Sequence, residues 1–155
     1  LRLDPLFVPA WVNLADLHRG SDAAKADAVL EEGLAAVPDD PTLLHALGLQ
    51  RIRQGRNDEA LGLFGRAAKG RPDDARFAYV YGVALHAAGR PEDGTRVLVD
   101  ALARAPYDPT LLAALAAYER DAGRRDAALG YARRLAAVVP EDGSVRQLVR
   151  DLGGE

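Results

Sequence analysis

Five prolines punctuate this chain at a nearly fixed interval: Pro5, Pro38, Pro72, Pro106 and Pro140, separated by 33, 34, 34 and 34 residues. Proline lacks the amide hydrogen that a helix interior needs, and its ring collides with the preceding turn, so each of these positions ends a helix. A chain interrupted so regularly has to be a tandem of like units. The unit is clearest from Pro41 to Asp74. Leu43, Leu44, Leu47 and Ile52 keep roughly helical spacing and predict a first helix with one buried face. Gly55 suits the left-handed residue that ends it. Asn57, Asp58 and Glu59 open a second helix with acceptors and negative charge; Ala60, Leu61, Phe64, Ala67 and Ala68 line its inner face. Lys69 and Arg71 close it, and Asp74 is placed to cap the next helix. One such hairpin buries too little to stand alone, so successive hairpins have to stack.

The other units repeat these features. Small residues recur in the first helices at Ala15, Gly48, Gly82 and Ala116, and in the second at Ala26, Ala60, Gly94 and Ala128. The turns carry Gly20, Gly55, Gly89 and Gly123. Repeat one spans residues 8–40 and is one residue short in its turn; repeats two, three and four are 41–74, 75–108 and 109–142, with residues 143–155 as capping helix and tail. Pro41, Pro91 and Pro109 fall at first helical positions. Gly82 and Gly94 stand inside helices, where each costs roughly 1 kcal/mol against alanine, and the small-residue pattern predicts a close helix crossing there. Near the end, Val145, Leu148, Val149 and Leu152 make an apolar stripe suited to covering the last hairpin.

With Trp11, Leu14 and Ala15 in AWVNLADLH, then LGLQR with EALGLFGRA, YGVAL with GRPEDG, and LAAY with RRDAALGYA, the chain resembles the tetratricopeptide repeat family along most of its length. The resemblance implies an all-α, right-handed α-solenoid of four helix-turn-helix repeats plus a C-terminal capping helix. It also implies a non-catalytic module binding a protein or peptide partner in a concave groove lined by the first helices. The alternative is a spacer or oligomerisation arm of a larger multidomain protein. RLDPLFVPAWVNLADLHR and FAYVYGVALHAAGR also resemble repeat regions behind multihaem cytochrome domains in bacterial exported proteins, although no haem-attachment motif is present.

Register assigns the groove residues under that resemblance: Asn13, Asp16, His45, Leu49, Arg53, Arg76, Tyr79, Val83, His86 and Arg120. Aromatic and arginine side chains on such a wall are usual peptide anchors. Repeats that clasp the carboxylate tail of heat-shock chaperones carry a basic and asparagine set on this wall. Asn13 matches one member and Arg76 stands near another, but Val12, Asp16, Ala46 and Val80 depart from it, and Asp16 is expected to repel a carboxylate. That variant is therefore set aside. His45 and His86, if they share a wall, are candidates for a pH-sensitive pair titrating near pH 6.

Little points to catalysis, and no cofactor or metal is expected. Cysteine is absent, the two serines Ser21 and Ser144 fall at turn or cap positions, and His18, His45 and His86 form no close metal-binding pattern. Asp39–Asp40, Asp73–Asp74 and Glu141–Asp142 read as helix caps, and Arg124–Arg125 with Arg133–Arg134 as a solvated face. A net charge of −3, with Lys25 and Lys69 the only lysines, gives no reason to expect nucleic acid. No apolar run is long enough for membrane insertion, and either a cytoplasmic or a periplasmic setting is compatible. The chain starts at Leu1, with residues 1–7 reading as the tail of a preceding repeat in a longer bacterial protein. Leu6, Phe7, Val8 and Trp11 are then expected to lack cover, making self-association through that end possible.

Overall fold

The computed structural model describes residues 4–153. Among them lie nine helices and no strand: α1 (Val8–His18), α2 (Ala23–Ala36), α3 (Pro41–Arg53), α4 (Asn57–Gly70), α5 (Ala75–Ala87), α6 (Pro91–Arg104), α7 (Pro109–Asp121), α8 (Arg125–Val138) and α9 (Gly143–Asp151). The fold is an all-α helical repeat. Its contacts gather into two compact units, one ending at Phe77 and the other beginning at Ala78, so the division falls within α5. Leu1–Leu3 of the expected leading helix tail, and Gly154 and Glu155 of the trailing end, lie outside the described residues.

Two kinds of turn alternate, each with its own chemistry. Inside hairpins, Gly55, Gly89 and Gly123 take φ of 73°, 76° and 74°. The residue after each glycine then donates its amide back across six residues: Arg56 to Arg51 O, Arg90 to Leu85 O and Arg124 to Glu119 O, at 2.9, 3.0 and 2.8 Å. These bonds satisfy carbonyls that a helix end would leave open. Gly20 does not join them; its φ is not positive. The shortened first turn instead closes with Asp22, whose amide donates to His18 O and whose carboxylate accepts from Lys25 N at 2.9 Å. A side-chain cap replaces the glycine.

Between hairpins, Val37, Arg71, Ala105 and Val139 end their helices, and an aspartate three residues later begins the next. Asp40 Oδ1 accepts from Thr42 N and Leu43 N, Asp74 Oδ1 from Arg76 N, Asp108 Oδ1 from Leu111 N, and Asp142 Oδ1 from Ser144 N and Val145 N. One member of each acidic pair is thus a cap. Hydrogen bonds from Arg76 to Asp74, and from Ser144 to Asp142, hold both carboxyls below their ordinary range. Helix α4 opens at Asn57 with Asp58 and Glu59 in its first turn, as expected, and α6 opens at Pro91, but neither has a side-chain cap. Arg56, not Asn57, is the N-cap of α4 and offers no side-chain acceptor; its guanidinium instead grips Glu59 at 2.6 and 2.7 Å.

In the first unit, α1–α2 and α3–α4 are hairpins around Trp11, Leu30, Leu43, Leu44, Leu47 and Phe64. The exposure expected of Trp11 is not found: it is buried, and its indole N–H donates to Pro5 O at 2.8 Å. Leu6 and Phe7 are exposed. Ile52, expected on the buried face of α3, is 42% exposed, because Arg51 occupies the inner position of that last turn. The Arg51 guanidinium, 5% exposed, meets Asp27 at 2.5 Å, Glu31 at 2.8 Å and Glu59 at 3.4 Å, tying α2, α3 and α4 together. Gly48 faces the Phe64 ring so closely that a Cβ there would lie 2.5 Å from it.

In the second unit the predicted crossing is present: a Cβ on Gly94 would lie 2.6 Å from Gly82 O. Helices α7 and α8 pack through Leu111, Leu112, Leu115, Ala116, Ala128 and Ala132, and Leu148 and Val149 of α9 with Leu152 just past its end cover the alanines. Glu119 is buried beside Arg124. Arg125 donates to the carbonyls of Leu152 and Asp151, and Arg134 to that of Pro106. The expected solvated arginine face is therefore partly built into helix-end contacts.

Candidate functional site

In the first unit, α1 and α3 lie side by side, and the faces they turn toward each other follow from helical spacing. Val12, Ala15 and Asp16 form one line along α1, continued by Arg19 just past its end; His45, Ala46, Leu49, Gln50 and Arg53 form another along α3. Between them opens a cavity of about 180 Å³, floored by Ala26 and Leu30 of α2. Of the expected groove residues, Asp16, His45, Leu49 and Arg53 come together here. Asn13 is exposed on α1 but does not line the cavity. Arg76 also stays outside it: its guanidinium chelates Asp74 at 2.7 and 3.0 Å and lies 5.9 Å from the centre of the Phe77 ring.

The rim is charged and the floor is not. Asp16, expected to stand as a repulsive charge, is ion-paired with Arg19 one turn later. Arg53 is exposed, and slight burial together with the Arg19 guanidinium pulls its pKa below the ordinary value. His45 is half-buried, its ring tilted against Phe64 at 5.7 Å and edge-on to Phe77 at 5.5 Å. Its buried Nδ1 has no hydrogen-bond partner among the described residues. Burial, reinforced by Arg76, lowers its pKa below 6.5, so the imidazole is neutral at physiological pH.

In the second unit, Tyr79, Val83 and His86 share one face of α5 and are half-buried. The His86 imidazole stacks on Tyr118 of α7, with ring centres 3.8 Å apart and planes 15° from parallel. Burial raises the Tyr118 pKa, with Tyr79 adding to it. Arg120 is exposed, bonded to Asp121 at 2.9 and 3.0 Å, and lines a hollow of about 370 Å³ between α7 and α9. Arg19 and Tyr118 were missed. Arg19 stands 33 residues before Ile52, one shortened repeat away, so register alone locates it. Tyr118 corresponds by register to Ala84 and Gln50, neither of which signals an aromatic.

Among the described residues no three His, Asp or Glu side chains gather in a way that would hold a metal ion, and no helix is long and apolar enough to cross a membrane. A search of curated proteins finds no match. The tetratricopeptide repeat family model matches residues 51–118. Among solved structures, MamA from Desulfovibrio magneticus aligns with a TM-score of 0.73 at 19% identity, covering 94% of this chain and 82% of that one. A Pseudomonas aeruginosa pilF structure gives 0.77 at 18% identity, covering 94% and 67%. The Cut9–Hcn1 assembly of the APC/C gives 0.71 at 17% identity, covering 94% and 30%. The family match places tetratricopeptide repeats within residues 51–118, and these solved structures share the helical-repeat fold of the chain.

Proposed function

We propose that the chain is a non-catalytic protein-interaction module that docks a peptide or partner segment on the inner faces of its first helices. The observation that carries this reading is the α1/α3 cavity, an apolar hollow open to solvent whose rim is ringed by charge. Core packing gives no account of such an opening, whereas a partner side chain fills it and its neighbours meet the rim. In the first unit the proposed contacts are Asn13, Asp16, His45, Leu49, Arg53 and Arg76. In the second they are Tyr79, Val83, His86 and Arg120. Half-exposure of Leu49 and Tyr79 supports the reading, since a purely internal role for those side chains would bury them.

The test is capture of partners from lysate of the source organism by the whole chain, beside Leu49→Glu and Tyr79→Ala variants. A partner identified by mass spectrometry and lost from the variants, with their helicity and melting unchanged, is the expected result. A partner retained equally by all baits refutes docking on these faces and favours the spacer reading.

A further inference from the structure

We propose that the α1/α3 cavity takes an aliphatic side chain from an acidic peptide segment, while Arg19 and Arg53 hold the carboxylate of an adjacent residue. This rests on the peptide-docking reading above and narrows it to a chemical class. The floor supports the aliphatic part: Val12, Ala15, Ala26, Leu30 and Ala46 offer no hydrogen-bonding side chain. The space, about 180 Å³, is roughly ten times the minimum for one water, so it admits a side chain.

Charge decides the rest. The cavity is lined by one carboxylate, Asp16, and two guanidiniums, Arg19 and Arg53. Asp16 is occupied by Arg19, and Arg53 makes no ion pair among the described residues. Arg19 and Arg53 line the same cavity from α1's end and from α3. His45 adds no charge at neutral pH because burial and Arg76 hold it unprotonated. The rim therefore carries one uncompensated positive charge, and a carboxylate set between two guanidiniums relieves their repulsion while making charge-assisted hydrogen bonds. A cationic partner would have to approach that same positive rim. The Asp16–Arg19 pair reverses the sign that Asp16 alone would impose.

The test is an amide-resolved NMR titration of the whole chain with three end-blocked peptides, Glu-Leu-Glu, Glu-Gly-Glu and Lys-Leu-Lys. Glu-Leu-Glu is expected to shift the amides of Val12, Asp16, Ala46 and Leu49 and to bind about tenfold more tightly than either other peptide, the scale of one charge-assisted bond. Arg53→Glu should erase that preference without altering the melting temperature, and added salt should weaken it in the wild type. Equal or tighter binding of Lys-Leu-Lys, or shifts confined to other helices, overturns the proposal. The two readings fail separately. Partner capture that depends on Leu49 and Tyr79, without acidic preference in the titration, leaves docking standing and removes this inference. Acidic preference at the cavity, without variant-sensitive capture, keeps the cavity chemistry and removes the module.

Discussion

The most demanding consequence of the packing concerns glycines that look alike in sequence. Gly62 in α4, Gly94 in α6 and Gly130 in α8 all stand inside helices. Replacing any of them with alanine gains about 1 kcal/mol of intrinsic helix propensity. At Gly62 and Gly130 a Cβ meets nothing within 4 Å, so the whole gain should appear. A stabilisation of about 0.5–1 kcal/mol raises Tm by some 1–4 °C in a chain of this size. At Gly94 the new Cβ would stand 2.6 Å from Gly82 O and 3.3 Å from His86 N, where ordinary contact begins at 3.4 Å. Both obstacles are backbone, so no rotamer change relieves them. Overpacking costs about 1–3 kcal/mol, which offsets the propensity gain and leaves Gly94→Ala destabilised by up to about 2 kcal/mol. Gly48→Ala is the informative intermediate, because its obstacle is the Phe64 ring at 2.5 and 2.8 Å, a side chain that can be made smaller. Combining Gly48→Ala with Phe64→Leu should cost less than the two single changes added together. Circular-dichroism melts and urea titrations of the wild type and the six variants measure all of this. Gly94→Ala at or above wild-type stability, or Gly130→Ala below it, refutes the close-crossing argument.

Phe64 is 2% exposed beside Gly48 and His45, so Phe64→Ala should cost about 3–5 kcal/mol in urea unfolding. Arg51→Ala should cost about 3 kcal/mol, the low end for breaking a buried pair, because Glu31 is half-exposed and turns to water while Glu59 keeps its bonds to Arg56. Adding Asp27→Leu should recover part of that loss in the same assay, since the half-buried Asp27 would otherwise lose its cation and keep only the Gln54 amide. His45 has a folded-state pKa below its unfolded value of 6.5, so the unfolded chain takes up the proton first as pH falls. Stability should be unaffected by this group above pH 6.5 and decline below it until the folded pKa is passed; melts from about pH 7 to about pH 5 should show a smaller decline in His45→Leu than in wild type. An identical pH profile for the two chains would contradict that environment for His45.

The repeat was legible because its punctuation is local chemistry. A proline stop, a left-handed glycine and a capping aspartate each act within a few residues, so a linear reading finds them, and Asp40, Asp108 and Asp142 cap the helices assigned to them. Where a local rule was replaced by a tertiary one, the reading failed. Ile52 reads as a buried-face residue because it is apolar, yet Arg51 takes the inner position because Asp27 and Glu31, 24 and 20 residues away in sequence, close around it. Hydropathy cannot anticipate an arginine made burial-tolerant by partners on another helix. Gly20 shows the converse: one deleted residue in the turn removed the geometry that needed glycine, and Asp22 took over the end of the turn.

The site was less legible than the fold for a reason that electrostatics makes plain. Register assigns a residue to a wall, but recognition depends on the charge that remains after neighbours have paired. Asp16 read alone predicts repulsion of a carboxylate; Asp16 read with Arg19, three residues on, predicts nothing of the kind. That spacing was available in the sequence. What it did not contain is that α1 and α3 bring Arg19 and Arg53 to one cavity rim, and no count along a single helix supplies the sum of charges from two. The same holds for His86, whose stacking partner Tyr118 comes from another helix at a register position that elsewhere carries alanine or glutamine. In a repeat protein the period specifies where each side chain stands, whereas binding is set by the residues that break the period, because identical repeats offer a partner no distinction between one site and the next. Asp16 and Tyr118 are departures of that kind, and under the proposed docking substitutions there should alter partner choice before they alter stability.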